Sequence, residues 1–215
     1  MTWPKATIYY KFHDKFNSQY KTKIMKALKK IMEVSCLKFK EGGTWFGLGP
    51  HIKIKRDDKQ CSSVVGYKGY FGEMNMYLGK CDEIGIIHEF LHAAGLKHEH
   101  NARIRDKYIN INWSNIIPKK QSNFQKYNID TNFGLPYDFE SIMHYASNSL
   151  SKNGKPTIVR KNNKKRYITK NKKMSKTILY NAENAKKIID NCPWDNPSIV
   201  WEEIIIIILT LEGMK

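Results

Sequence analysis

Four histidines fall within thirteen residues of this chain, in the segment HEFLHAAGLKHEH at 88–100. On an α-helix, positions i and i+4 lie on the same face, so His88 and His92 are expected to point their imidazoles the same way. Gly95 is the predicted end of that helix, because glycine readily takes the left-handed conformation after a last helical turn. The turn would bring His98 back to the other two. The segment therefore predicts a helix that ends in a sharp turn, with three imidazoles at one point.

Three converging imidazoles are the ligand set of a catalytic zinc site, because they leave one coordination position open for water. Glu89 is adjacent to the first histidine, on the rim of the same face, where it can reach that water as a general base. The alternative interpretations are a histidine-rich surface helix and a structural zinc site without chemistry. His100 lies two residues past the third histidine, and we predict that it is a surface side chain.

The remaining hydrophobic pattern predicts an α+β domain. Apolar residues spaced three and four apart indicate one helix that begins at Asn17 or Ser18 and runs to about residue 34. The helix with the histidines is predicted to begin near Asp82 or Glu83, and a last helix is predicted at 177–189. Short strands are predicted at 6–11, 36–40, 51–55, 62–67 and 74–78.

Composition narrows the class of protein without fixing its function. A chain of 215 residues with 41% hydrophobic residues is long enough for one sizeable domain or two joined lobes, and disorder is not expected. The net charge of +17 suits an anionic partner, and equally a solvated basic surface. The sequence has no basic–aromatic motif of the nucleic-acid-binding kind, so no nucleic-acid partner is expected.

The four cysteines point to an oxidising compartment. None of them lies in a CxxC pair, so a zinc ribbon or a thioredoxin-type site is not expected. An even number at wide separation fits two structural disulfides, and four buried thiols in a cytosolic protein are the alternative. The cysteines are Cys36, Cys61, Cys81 and Cys192.

Neither end of the chain shows a membrane-directing segment. The opening MTWPKATIYY lacks the apolar core of a signal peptide, so we expect that a secreted form would need a leader that this chain lacks. The apolar run at 204–209 is too short to span a bilayer. The isoleucine-rich tail at 195–215 is expected to lie outside the fold.

Two motifs resemble the astacin family of zinc metalloproteases, within the metzincins. The first is the histidine segment in its longer form, in which Glu99 directly follows the third histidine. The second is SIMHY at 141–145, which is similar to the sequence that contains the family's Met-turn. The resemblance extends over about 3–192 and includes the segments 121–131 and 157–159.

This resemblance implies a two-lobed metzincin fold of the zincin type. The N-terminal lobe, about 1–98, would hold a twisted, mostly five-stranded sheet with two long helices. The C-terminal lobe, about 99–194, would be largely irregular with one late helix. Together the two lobes would form a peptidase domain at 1–194.

The mechanism of the family, carried over to this sequence, assigns the site residues. One Zn²⁺ per chain would be held by three histidines, and Glu89 would act as the general base that takes the proton of the attacking water. Tyr145 would bind zinc in the free enzyme and hydrogen-bond the oxyanion during catalysis. Met143 would form an apolar floor under the metal, and His144 is expected to be structural. The zinc ligands would be His88, His92 and His98.

The resemblance also implies how the cysteines pair. The first would pair with the last, Cys36 with Cys192, and the middle two with each other, Cys61 with Cys81. Disulfides belong to proteins of oxidising compartments, so the expected location is extracellular. The expected protein is a secreted monomer that acts on protein or peptide substrates and does not span a membrane.

The lysine-rich segment 160–176 is the candidate for substrate selection. It lies where the family forms part of the wall of the pocket that follows the scissile bond. Basic side chains there would favour an acidic substrate residue by charge attraction, and a solvated basic loop is the alternative interpretation. The candidate residues are Lys164, Lys165 and Arg166.

Two features depart from the family pattern. Ala102 and Ile104 stand where the family commonly has arginine and aspartate, which predicts weaker support of the site. Two residues alone precede Trp3, whereas the mature N-terminus of the family reaches towards the glutamate after the third histidine, here Glu99. The substitutions at Ala102 and Ile104 keep open the hypothesis of a zinc-binding pseudoenzyme, and the net charge of +17 keeps open that of a basic glycan-binding protein without turnover.

Overall fold

The computed structural model describes residues 3–43, 49–69, 73–131 and 136–169. These residues form two compact units, one that ends at Leu96 and one that begins at Lys97. Three sequence predictions fall outside the described residues, namely the late helix at 177–189, Cys192 and the tail at 195–215.

The first unit is built on a sheet of five strands. They are β1 (Thr7–Phe12), β2 (Lys38–Glu41), β3 (Ile52–Lys55), β4 (Ser62–Ser63) and β5 (Met74–Tyr77). Their order in the sheet is β2-β1-β3-β5-β4. The edge strand β4 pairs antiparallel with β5, and the other neighbours are parallel. A mostly parallel five-stranded sheet combined with helices confirms the predicted α+β fold class.

The strand β4 is shorter than the predicted segment 62–67, and one hydrogen bond gives the reason. Gly66 has a left-handed backbone, with φ of 71°, and its N–H donates to the carbonyl oxygen of His92 over 2.9 Å. The chain therefore leaves the sheet after two paired residues and turns to the helix that carries the histidines. The other four predicted strands are confirmed to within two residues at each end.

The helix α1 (Ser18–Met32) begins at a capping asparagine, as the sequence predicts. The Oδ1 atom of Asn17 accepts a hydrogen bond from the backbone N–H of Tyr20 over 2.8 Å, which satisfies one open donor of the first turn. The buried residues of the helix recur every three or four positions, and this stripe packs against the second helix and β2. They are Ile24, Ala27, Leu28 and Ile31.

The helix α2 (Glu83–Ala94) carries the first two histidines of the cluster. Asp82 caps its start by accepting a hydrogen bond from the N–H of Gly85 over 2.6 Å. Gly95 ends the helix with φ of 117°, and the N–H groups of Gly95 and Leu96 donate to carbonyl oxygens of the last turn. Both predicted ends of this helix are confirmed.

The disulfide between Cys61 and Cys81 confirms one of the two predicted pairs. It links the residue before β4 to the residue before the cap of α2, so the edge strand and the histidine helix share a covalent tie. The predicted partner of Cys36 is Cys192, which lies outside the described residues. That second pair stays a prediction.

The second unit consists of short elements around a small hydrophobic core. Its strands β6 (Ile109–Ile111) and β7 (Ile158–Arg160) pair antiparallel, and neither was predicted, because three residues are too few to show a periodicity. Between them the chain forms 3₁₀ turns at Trp113–Asn115 and Pro118–Phe124. The core residues are Ala102, Ile109, Ile116, Phe124, Tyr137, Ile158 and Ile168. Among the described residues, no helix has the length and apolar character needed to cross a membrane.

The two residues that replace the family's arginine and aspartate pack in this core. Ala102 is fully buried, and Ile104 packs against the same cluster. The next residue, Arg105, is also buried and donates hydrogen bonds to the backbone carbonyls of His100 and Phe124. Apolar packing and one buried arginine therefore order this segment.

Candidate metal centre

The structure brings the three predicted zinc ligands together. His88 and His92 lie one turn apart on α2, with ring centroids 4.6 Å apart and ring planes at 87°. His98 follows Gly95 by three residues, and one ligand atom of each of the three histidines lies within 4.8 Å of the others. This spacing suits three ligands of one ion.

The tautomer of His92 also fits a metal ligand. Its Nδ1 lies 2.8 Å from the carbonyl oxygen of Leu96, and because a carbonyl can only accept, Nδ1 must carry the hydrogen. Nε2 then carries the lone pair, as the metal-binding nitrogen of a histidine ligand does. Burial, with a smaller contribution from His88, lowers the pKa of His92 to about 4. The ring is therefore neutral at neutral pH, as a histidine ligand of Zn²⁺ must be.

The end of α2 is held by two segments that precede it in sequence. The N–H of Gly66 donates to the His92 carbonyl, as described above. The indole Nε1–H of Trp3 donates to the carbonyl oxygen of Ala93 over 2.8 Å, and the indole is 4% exposed. Trp3 also packs on Tyr67, with ring centroids 5.0 Å apart. The carbonyls of His92 and Ala93 thus have partners from other segments, which fixes the direction of the last turn of the helix.

Glu89 is buried beside the edge strand β4. Its side chain is 5% exposed, and burial raises the pKa of its carboxyl to about 7. A hydrogen bond from the backbone N–H of Ser63 acts in the opposite direction by favouring the carboxylate. A carboxyl group with a pKa near neutrality can both accept and release a proton at neutral pH, as a general base must.

In the second unit, Glu99, the residue after the third histidine, is hydrogen-bonded to the predicted Met-turn. The backbone N–H of Glu99 donates to the carbonyl oxygen of Met143 over 3.0 Å. The carboxylate of Glu99 accepts a hydrogen bond from the backbone N–H of Asp138 over 3.0 Å. Met143 is 2% exposed and its N–H donates to the hydroxyl of Ser141. The motif SIMHY is therefore tied directly to the histidine motif by one backbone hydrogen bond.

Tyr145 lies beside the third histidine. Its ring centroid is 4.9 Å from that of His98, and the side chain is partly exposed. The two residues line a surface depression of about 470 Å³ in the second unit, together with Asn101, Asn123 and Tyr127. A larger depression, of about 510 Å³, contains none of the predicted site residues. The smaller depression is therefore the one that holds predicted site residues.

The prediction that His100 is a surface residue is wrong. The side chain is completely buried, because the 3₁₀ turn Glu99–Asn101 directs it into the second unit. Its ring stacks on Tyr145 at 3.9 Å with planes 21° apart. Its Nε2 lies 3.2 Å from the carbonyl oxygen of Asn123, and burial holds its pKa well below the usual range. His100 is thus a neutral packing partner of Tyr145, which no spacing in the sequence revealed.

His144 fixes the backbone of Tyr145, in line with its expected structural role. Its Nδ1 lies 2.6 Å from the carbonyl oxygen of Tyr145 and therefore carries the hydrogen. Its Nε2 then accepts a hydrogen bond of 2.6 Å from the hydroxyl of Tyr137, a residue that the sequence did not single out. Burial lowers the pKa of His144 to about 4, so this network is neutral at neutral pH.

The three candidate substrate-binding residues lie on an exposed loop of the second unit. The loop follows β7, and Lys164, Lys165 and Arg166 are all exposed. It ends at Ile168, whose N–H donates to the hydroxyl of Ser147 over 2.9 Å and whose carbonyl accepts from the Ser147 N–H over 2.8 Å. Ser147 is two residues beyond Tyr145. The loop is therefore held by the segment that carries the candidate active-site tyrosine.

Known proteins resemble this chain over most of its length. The model of the peptidase family described as Astacin matches residues 1–186. Zinc metalloproteinase nas-13 of Caenorhabditis elegans is 35% identical over 199 residues, which are 90% of this chain and 42% of that protein. Low choriolytic enzyme of Oryzias latipes is 34% identical over 182 residues, which are 80% of this chain and 64% of that protein. The chain thus spans part of the length of each relative.

Solved structures share the fold. High choriolytic enzyme 1, a hatching enzyme zinc-protease from Oryzias latipes, gives a TM-score of 0.73 at 26% identity, over 88% of this chain and 93% of that chain. Myroilysin gives a TM-score of 0.59 at 18% identity, which supports the fold alone. The family match, the relatives and the shared fold lead to one conclusion: the chain belongs to the astacin family of zinc-dependent peptidases.

Proposed function

We propose that this chain is the peptidase domain of a secreted zinc endopeptidase. The observation that carries the proposal is the grouping of three histidine ligand atoms within 4.8 Å of one another, with a buried glutamate next to the first of them in sequence. The disulfide between Cys61 and Cys81 supports an extracellular location, because such bonds persist in oxidising compartments.

The proposal assigns proton transfer to Glu89. Zn²⁺, when bound by His88, His92 and His98, supplies Lewis acidity for the attack of water on a peptide carbonyl. Glu89 takes a proton from the attacking water and later gives it to the leaving amine, so the carboxylate is regenerated. Its raised pKa supports this role, because a weakly acidic carboxyl is a stronger base than an exposed one.

Tyr145 stabilises the developing oxyanion in this proposal. Its phenol O–H donates a hydrogen bond to the carbonyl oxygen as negative charge builds up there. Stacking on His100 and the hydrogen bond from His144 to its backbone support a defined position for the ring. Met143 contributes apolar packing, in keeping with its burial.

The basic loop selects an acidic substrate residue after the scissile bond. The support is charge and position: Lys164, Lys165 and Arg166 are exposed, and the loop that carries them is anchored at Ser147. Arg166 already has a loose contact with Glu140, at 3.9 Å between Nη2 and Oε1, which a substrate carboxylate would have to replace. A solvated loop without selectivity is the competing interpretation.

Four further features belong to the same proposal. They are a peptidase domain at 1–194, with lobes divided near residue 98, one zinc ion per chain, a second disulfide between Cys36 and Cys192, and a monomeric state. The consequence of a second disulfide would be that cleavage activity requires oxidised protein. Reducing agents should then lower both thermal stability and turnover.

Cleavage of denatured casein by the oxidised, zinc-loaded protein tests this function. We expect activity that a chelator removes, that added Zn²⁺ restores, and that the variant Glu89→Ala lacks. A folded, zinc-containing protein without cleavage activity would contradict the proposal and favour a zinc-binding pseudoenzyme. Circular dichroism of the variant should match the wild type, since the side chain removed is not part of the hydrophobic core.

A further inference from the structure

The sheet of the first unit has two faces of different chemistry. Ile52 and Ile54 of β3 are fully buried, whereas Lys53 and Lys55 between and after them are partly exposed. Because successive residues of a strand point to opposite sides, one face of the sheet is apolar and the other carries the lysines. We call the second one the lysine face.

Neighbouring strands extend the lysine face. Its strand residues include two tyrosines, and none of those described is acidic. The pairing register fixes this assignment, since residues paired across parallel strands share a face. The lysines are Lys11 of β1, Lys38 and Lys40 of β2, and Lys53 and Lys55 of β3; the tyrosines are Tyr9 and Tyr77.

The helices cover the opposite face. Phe39 of β2 lies 5.4 Å from Phe90 of α2 between ring centroids, and Tyr10 of β1 lies 6.3 Å from the same ring. The hydroxyl of Tyr10 also donates to Met25 of α1. Lys38 and Lys40 flank Phe39 in β2, so their side chains point away from the helices, and both are exposed.

The spacing of these lysines places positive charges side by side. Lys11 and Lys53 are partners in register on adjacent parallel strands, which lie about 4.8 Å apart. Lys53 and Lys55 are two residues apart, at a separation of about 6.6 Å along the strand. Like charges placed opposite each other destabilise a sheet. Glu73 offsets part of this charge through an ion pair of 3.0 Å with Lys53.

The lysines of α1 provide a contrast within the same unit. Lys26 and Lys30 both pair with Glu83, and Lys29 approaches Glu33 at 4.0 Å. Three of the five lysines of that helix therefore lie beside a counter-charge, and the other two lie over the rings of Phe12 and Tyr20. On the lysine face, the positive side chains outnumber the acidic ones that reach it from the described residues, so the face keeps a net positive charge.

We propose that the lysine face binds a sulfated or uronate-containing polysaccharide. The rows of lysines match a linear array of anionic groups, and the interleaved tyrosines offer flat surfaces to sugar rings. The disulfide between Cys61 and Cys81 argues for an oxidising compartment, where anionic polysaccharides rather than nucleic acids are the available polyanions. This binding site is separate from peptide hydrolysis and does not depend on it.

Binding of a fluorescent heparin-derived octasaccharide to the full chain tests the proposal. The test variant combines Lys38→Gln, Lys40→Gln and Lys55→Gln, which spares the ion pair of Lys53. A matched control removes the same charge from exposed lysines of the second unit, by Lys119→Gln, Lys120→Gln and Lys155→Gln. At about 150 mM NaCl, where weak long-range attraction is screened, we expect roughly tenfold weaker binding for the test variant and almost no change for the control.

Several outcomes would overturn the proposal. Equal losses in the two variants would mean that the net charge of +17, and not the lysine face, attracts the glycan. Absence of binding by the wild type at this salt concentration would also contradict it. Tighter binding of single-stranded DNA, or of phosphatidylserine vesicles, would assign the face to a different partner. Cleavage of an uncharged peptide should be the same in all three proteins, so failure here is distinct from failure of the peptidase proposal.

Discussion

The two compact units of this chain are stabilised by different kinds of contact. The first uses two capped helices and a sheet whose apolar residues recur with the helical or strand period. The second uses 3₁₀ turns, two strands of three residues each and buried polar side chains that hydrogen-bond to the backbone. The difference teaches that the same chain stabilises one unit mainly by hydrophobic burial and the other by specific polar contacts as well.

The largest effect is expected in the periodic unit, at Leu28. This side chain is fully buried in α1, and the change Leu28→Ala removes apolar surface and leaves a cavity. The free energy of unfolding should fall by about 4 kcal/mol. Urea unfolding followed by circular dichroism measures it. The neighbouring exposed substitution Lys29→Ala is the control and should leave the midpoint close to wild type.

In the irregular unit, the corresponding position is polar. The guanidinium of Arg105 is buried and donates to two backbone carbonyls, which Arg105→Met would leave without these donors. The expected loss is about 3 kcal/mol in the same urea experiment. Arg103 is exposed, and Arg103→Met serves as the control. If the two methionine variants unfolded at the same urea concentration, the view that buried polar contacts hold this unit together would be wrong.

The pH dependence of the free energy of unfolding tests the buried polar contacts of the second unit. The pKa of His144 is about 4 in the folded protein, against about 6.5 in an unfolded chain. Between these values the unfolded chain binds a proton that the folded protein does not, so stability is lost as the pH falls. This residue should contribute a loss of about 2 kcal/mol between about pH 7 and about pH 5.

The variant His144→Gln isolates the contribution of this residue, because Glu89, whose pKa is raised to about 7, changes stability in the opposite direction over the same pH range. Glutamine cannot titrate and can still hydrogen-bond, so the curve of stability against pH should be flatter in this variant. His100 is also buried with a lowered pKa, and it accounts for part of the slope that remains. Identical slopes in wild type and His144→Gln would show that folding does not lower the pKa of His144.

A smaller effect is expected from the stacking of His100 on Tyr145. The change His100→Ala removes the ring that supports the tyrosine, and kcat should fall roughly tenfold with little change in KM, because a misplaced group stabilises the transition state less well. His100→Phe keeps a ring at this position and should restore most of kcat. Equal activity of the two variants would mean that stacking does not position Tyr145.

The sequence predicted the helix ends and the grouping of histidines that depend on periodicity and local caps. Asn17, Asp82 and Gly95 marked helix ends because their preferences are local, and the spacing of His88 and His92 follows from helix geometry alone. The burial of His100 could not be predicted in this way. It depends on a single 3₁₀ turn and on a cavity formed by residues distant in sequence, among them Phe124 and Tyr145.

The short strands of the second unit escaped prediction for a related reason. β6 and β7 have three residues each, and their pairing joins positions about fifty residues apart. Tyr137 was missed because its role, a hydrogen bond to His144, exists only once the aromatic cluster has formed. The hydrogen bond from the N–H of Ser63 to Glu89 was missed for the same reason. It forms only when the edge strand β4 lies beside α2.

The central claim is that three of the four clustered histidines hold zinc and the fourth does not. Measuring the zinc-to-protein ratio of purified His98→Phe and His100→Phe tests it directly. We predict that His100→Phe retains about one zinc per chain, whereas His98→Phe, which loses a ligand, retains less than about a tenth of that after dialysis. Zinc retained in His98→Phe and lost in His100→Phe would contradict the assignment on which the proposed activity depends.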